Sequence, residues 1–162
     1  MMISEKMAKR LNEQVTHEYF AKWAYLAMAL AFEDMNLKGF ANWFYAQAAE
    51  EEGHARKIGT YMLDQGASVK LMALPEPKTD YKSAEEIVQA ALNHELKVTE
   101  QVHEIARMAE EEGDLATRNF ISWKIEEQVE EVASMTELLA MVKMAQSPGQ
   151  LLMLQNHIKR ED

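Results

Sequence analysis

Four stretches of this chain carry apolar residues at steps of three and four, the signature of one buried helix face, and a carboxylate interrupts each stripe near its midpoint. The first stripe is Leu11, Val15, Glu18, Ala21, Tyr25, Met28, Phe32. The second is Phe44, Ala48, Glu51, His54/Ala55, Ile58, Met62, and the third is Val88, Ala91/Leu92, Glu95, Val98, Val102, Ile105. The fourth is Ile121, Ile125, Gln128, Glu131/Val132, Met135, Leu139, Val142. Four such faces must bury one another, so the expected fold is an all-α four-helix bundle whose core has to accept acid.

Punctuation between the stripes sets the topology. Ser4 reads as the N-cap of a helix running to about Asp34, and Asn36-Leu37-Lys38-Gly39 makes a short turn into a second helix that ends near Gln65, before Gly66. A third opens at Ser83 with the capping box Ser83-x-x-Glu86 and stops near Gly113-Asp114, and a fourth follows directly. Ser147-Pro148, an N-cap with Pro at the first helical position, starts a short fifth helix. The expected organisation is one domain over 1–162, with helices at about 4–34, 39–65, 83–112, 114–146 and 149–160. Short turns pair the first with the second helix and the third with the fourth as antiparallel hairpins. The roughly 16 residues from Ala67 to Lys82, with Pro75 and Pro77, span up to ~50 Å at ~3.3 Å per residue. A helix of roughly 28 residues is only ~42 Å long. The connection therefore reaches the full length of the bundle, as one long crossover.

Composition agrees and excludes other classes. Only 6 Gly and 3 Pro occur. With 0 Cys, disulfides and thiolate-bound zinc are ruled out. A net charge of −10 opposes nucleic acid as a partner, and no apolar run is long enough for a membrane span. MMISEKMAKR lacks the apolar region of a secretory signal, so the expected location is cytoplasmic.

In an antiparallel bundle the helix midpoints share a level, so Glu18, Glu51, Glu95 and Glu131 should converge there, with His54 and Gln128 beside them. A single Glu in an apolar stripe is ordinarily a rim residue, but four at one level are not. Buried carboxylates need neutralising, and of the four only Glu18 has a basic residue at three or four positions' distance, Lys22. Two divalent metals would balance four carboxylates, and carboxylate oxygens with one imidazole suit iron or manganese and admit zinc. Glu51-x-x-His54 facing Gln128-x-x-Glu131 is close to the ligand pattern of di-iron carboxylate bundles, with Glu131 where a second His would stand.

The stretches ISEKMAKRLNEQVTHEYFAKWAYLAMA, GFANWFYAQAAEEEGHA, NHE around Glu95 and FISWKIEEQVEEVAS closely resemble bacterial and archaeal non-haem ferritins over essentially the whole chain. The resemblance implies an iron-storage subunit with ferroxidase activity, oxidising Fe(II) with O2 at an intra-subunit di-iron centre and storing Fe(III) mineral in a hollow shell of 24 subunits. By position it implies a first iron site from Glu18, Glu51 and His54, and a second from Glu51, Glu95 and Glu131 with Gln128 close by. Glu51 would bridge, and Tyr25 matches a tyrosine beside the centre. A third iron site is implied at Glu50, Glu127 and Glu130. Haem is not expected, because Glu52 stands where bacterioferritins place a haem-ligating Met and the second Glu-x-x-His is absent. The rival enzyme reading is a di-metal oxidase or peroxidase acting on another substrate, which would need an apolar channel beside the centre.

Overall fold

The computed structural model describes residues 1–158 and is helical throughout its regular parts. Helix α1 spans Glu5–Asp34, α2 Lys38–Asp64, α3 Ala84–Glu112, α4 Leu115–Phe120, α5 Ser122–Met144 and α6 Pro148–Leu154. The expected starts are met by side-chain caps. Ser4 accepts from the Met7 N–H at 2.9 Å, Ser83 from Glu86 at 3.1 Å, and Ser147 from Gln150 at 3.2 Å. The reciprocal arm of the capping box differs from expectation. Glu86 accepts from the Lys82 N–H at 2.9 Å, one residue before the cap, and from Lys78 Nζ at 2.6 Å. Gly113 ends α3 in the left-handed region at φ 67°, where a side chain would be strained.

α1 packs along α2 and α3 along α5, two hairpins that meet through α1 and α3. The long connection after α2 carries no helix and is pinned to α1 by Asn12, whose Nδ2 donates to Lys70 O at 3.1 Å and whose Oδ1 accepts from Lys70 N–H at 2.7 Å. This is the expected bundle with one crossover.

Two details depart from the sequence reading. The fourth rod is not one helix from 114 to 146: α4 and α5 are separated at Ile121 (φ −72°, ψ −11°). The Lys124 N–H bonds Ile121 O at 3.0 Å while the Ile125 N–H also reaches it at 3.2 Å. This tightened turn breaks the helix without Gly or Pro, and the side chain of Ile121 is fully buried at the bend. The short terminal helix ends at Leu154 rather than 160. Gln155 then caps the α1–α2 turn, its Oε1 accepting from the Gly39 N–H at 2.9 Å. Residues 159 and 160 of the expected helix lie outside the described residues.

The core has two apolar lobes. One holds Tyr25, Phe32, Phe40, Phe44, Ile87 and Met135, with Phe32 and Phe40 stacked at 5.0 Å. The other holds Met7, Leu11, Ile58, Val102, Ile105 and Ile121. Between them the helices carry buried polar side chains, so the bundle has a polar waist at the level where the stripes are interrupted.

Candidate metal centre

Helix periodicity brings Glu18 from α1, Glu51 and His54 from α2, Glu95 from α3, and Gln128 and Glu131 from α5 into this waist, all of them buried. One oxygen each from Glu18 and Glu51 and one nitrogen of His54 lie within 4.8 Å of one another, the spacing of donors around a single ion. A second group, Glu50, His54 and Glu127, meets the same criterion and is half-buried. His54 thus serves both groups through different ring nitrogens. Its Nδ1 faces Glu51 Oε2 at 3.0 Å and Glu18 Oε2 at 3.6 Å, while Nε2 contacts Glu127 Oε1 at 2.8 Å and Glu50 Oε1 at 3.9 Å.

The far half of the waist is held by hydrogen bonds. Tyr25 donates its hydroxyl proton to Glu95 Oε1, and Gln128 Nε2 donates to Glu95 Oε2 at 3.0 Å. Gln47 Nε2 donates to Glu131 Oε2 at 2.9 Å and to Glu51 Oε1 at 3.2 Å, tying the two halves together. Glu130 is exposed and stands outside the Glu50–His54–Glu127 group.

Three residues of the waist were not singled out in the sequence. Gln14 donates to Glu18 Oε1 at 2.8 Å, as Gln47 does to Glu51; in both cases a glutamine sits four residues before the glutamate, one helical turn away. Lys124 is the third. Its side chain is 0 % exposed, with Nζ 3.5 Å from Glu18 Oε2 and 2.8 Å from His54 Nδ1. The fourth helix therefore buries Ile121, Lys124, Gln128, Glu131, Met135, Leu138 and Val142, an unbroken alternation of three and four steps, with Lys124 where Ile125 was expected. Lys22, the basic residue one helical turn from Glu18, pairs with Glu52 at 2.5 Å and not with Glu18.

The charges at this level push one another in opposite directions. Burial raises the pKa of Glu18, but the Lys124 ammonium and then His54 outweigh it and hold the carboxyl well below its usual range. Glu51 is pushed up to about 7, by burial first and then by Glu18 and Glu95. Glu131 rises to about 8 through burial and the repulsion of Glu95, Glu50 and Glu51. Burial and adjoining negative charge likewise raise Tyr25. Burial lowers the pKa of His54, but the carboxylates on both sides raise it further. Nδ1 nevertheless faces an ammonium at 2.8 Å, and one ring nitrogen cannot donate to Glu51 and accept from Lys124 at once. On the other side of the ring, Nε2 lies 2.8 Å from Glu127 Oε1.

The donor set fits divalent metal. Glu18 Oε2 and Gln128 Oε1 are buried without a hydrogen-bond partner, so both oxygens keep lone pairs that a cation can take, Glu18 Oε2 being answered at present only by charge, from Lys124 at 3.5 Å and His54 at 3.6 Å. Carboxylates outnumber the single buried ammonium at this level, and the oxygen-rich set with one imidazole matches iron or manganese. Fold and site together define a four-helix bundle with a buried cluster of carboxylates and one histidine.

The ferritin-like domain model matches residues 8–145. The bacterial non-heme ferritin of Staphylococcus haemolyticus is 40 % identical over 130 residues, covering 80 % of this chain and 78 % of that protein. That of Staphylococcus aureus strain MRSA252 is 40 % identical over 132 residues, covering 82 % and 80 %. Among solved structures, an open pore ferritin from the archaeon Archaeoglobus fulgidus superposes with a TM-score of 0.95 at 36 % identity, covering 98 % of this chain and 99 % of that one. The chain belongs to the ferritin family, whose subunits store iron. No helix among the described residues is long and apolar enough to cross a membrane.

Proposed function

We propose that this iron-storage subunit is a ferroxidase that binds Fe(II) in pairs at the polar waist and oxidises it with O2. The observation that carries the reading is the convergence of Glu18, Glu51 and His54 at single-ion spacing, with Glu95 and Glu131 buried at the same level. In this reading Glu18, Glu51 and His54 hold the first iron, and Glu51, Glu95 and Glu131 hold the second. Gln47, bonded to both Glu51 and Glu131, orients the two carboxylates that face the second position. Gln128 and Tyr25 do the same for Glu95. Glu51 and Glu131, held above the usual carboxylate range, release protons as cations arrive, so loading strengthens as pH rises through about 7 to 8.

Each Fe(II) supplies one electron, and a pair close together delivers two electrons to one O2 in a site that excludes bulk water. A third iron position at Glu50 and Glu127 with Glu130 accepts ions beside the pair, and His54 joins the two through its opposite ring nitrogens. The subunit assembles into a cytoplasmic shell of 24 copies around the stored Fe(III) mineral. Trp23, Leu30, Leu152 and Met153 are exposed apolar side chains, available for contact with neighbouring copies.

Anaerobic addition of Fe(II) to metal-free shells, followed by O2, tests this. The rapid absorbance rise should saturate at about two Fe(II) per subunit. A rise that grows in proportion to iron, with no break at that ratio, would refute a paired site.

A further inference from the structure

We propose that Lys124 is a resident cation standing in the first metal position, on the donor atoms an incoming ion must take, so that loading this position requires its side chain to withdraw. The inference rests on the reading that Glu18, Glu51 and His54 hold metal.

The geometry is one of exclusion. Nζ lies 2.8 Å from His54 Nδ1, the nitrogen that belongs to the Glu18–Glu51 group, and 3.5 Å from Glu18 Oε2. A divalent ion bound to the same atoms would sit roughly 2.0–2.2 Å from each. The Nδ1 lone pair points at one partner only, so ammonium and metal cannot share it. The lysine is no incidental surface residue that has folded inward. It fills the core step between Ile121 and Gln128, is fully buried, and answers carboxylates that no other buried lysine or arginine of the waist contacts among the described residues.

Its presence explains how the metal-free bundle tolerates this much buried acid. It also makes the two metal positions unequal, because Glu95 and Glu131 contact no cation among the described residues, whereas the first position begins already filled. Glu127, half-buried and three residues further along α5, offers the withdrawn ammonium a carboxylate within reach of its flexible stem.

The test uses metal-free full-length shells and Zn(II), which fits oxygen and imidazole donors and undergoes no redox chemistry. Lys124→Met keeps the stem's length and removes the charge. Calorimetric titration should show Zn(II) binding at least tenfold tighter at one position and unchanged at the other. The same variant, without metal, should unfold at a lower temperature than the parent. A lysine with a purely structural role would lower stability and weaken or leave unchanged the affinity. Unchanged or weaker Zn(II) binding in a folded Lys124→Met shell therefore overturns the proposal. If that variant does not assemble, Lys124→Gln, which retains a polar donor, carries the same expectation and the same refutation. Glu51→Ala separates the two levels of inference. If it leaves the parent's Zn(II) isotherm intact, the metal assignment fails and the Lys124 proposal with it. If it removes binding while Lys124→Met changes nothing, the Lys124 proposal alone fails.

Discussion

Glu51→Ala is expected to remove the rapid phase of Fe(II) oxidation, slowing the initial rate about 100-fold or more, while the helical shell assembles as before. Glu51 alone would touch both metal positions, so its loss separates the pair rather than weakening one member. Its carboxylate is also the point at which Gln47 links the two halves of the waist. Folding should survive, because Glu51 is itself a burdened group: burial and Glu18 push its pKa to about 7, so removing it relieves repulsion in the metal-free state. Stopped-flow absorbance after mixing with oxygenated Fe(II), with particle sizing by light scattering, checks both halves of the expectation. Normal initial rates would show that the two positions do not act as a pair.

Glu18→Gln should have the opposite balance, a large loss of stability in the metal-free protein. Glu18 is the fully buried partner of the fully buried Lys124, and at 3.5 Å with an effective dielectric of ~20 their attraction is on the order of 5 kcal/mol. That attraction offsets the cost of burying both charges, and breaking such a pair leaves the remaining ion uncompensated, a loss of about 3 kcal/mol or more. For a subunit of this size, about 3 kcal/mol lowers the thermal midpoint by roughly 6–12 °C. The double variant Glu18→Gln/Lys124→Met removes the stranded charge and should recover most of the loss. A double variant that is less stable than Glu18→Gln alone would mean that the two side chains are not paired. Differential scanning calorimetry of the four metal-free proteins reads the cycle directly.

Much of this was legible in the residues. The interruption of each stripe by one carboxylate placed Glu18, Glu51, Glu95 and Glu131 at one level, because helical periodicity and bundle topology leave no other common height. The caps at Ser4, Ser83 and Ser147 and the reach of the crossover fixed the element order. What escaped notice did so for physical reasons. Ile125 satisfied the apolar pattern beside Lys124, and a lysine is ordinarily solvated, so the strict three-and-four alternation through residue 124 went unused. Lys22 lies four residues from Glu18 in sequence, but its long stem reaches across to Glu52. Gln14 and Gln47 each precede a site glutamate by one turn, but glutamine on a helix usually faces water, so the pattern alone does not mark them. The bend at Ile121 has no Gly or Pro to announce it and arises from a shift in backbone hydrogen bonding.

In the proposed function, paired metal ions bind at the waist through Glu18, Glu51, His54, Glu95 and Glu131. Anomalous X-ray diffraction at the iron edge, on crystals of metal-free shells soaked anaerobically in Fe(II), tests it most directly. Two strong anomalous peaks are expected within each subunit, one among Glu18, Glu51 and His54 and one among Glu51, Glu95 and Glu131, with Lys124 Nζ moved off His54 Nδ1. Peaks confined to the exposed acidic surface, with Lys124 Nζ still on His54 Nδ1 and Gln47 still on Glu51 and Glu131, would contradict it.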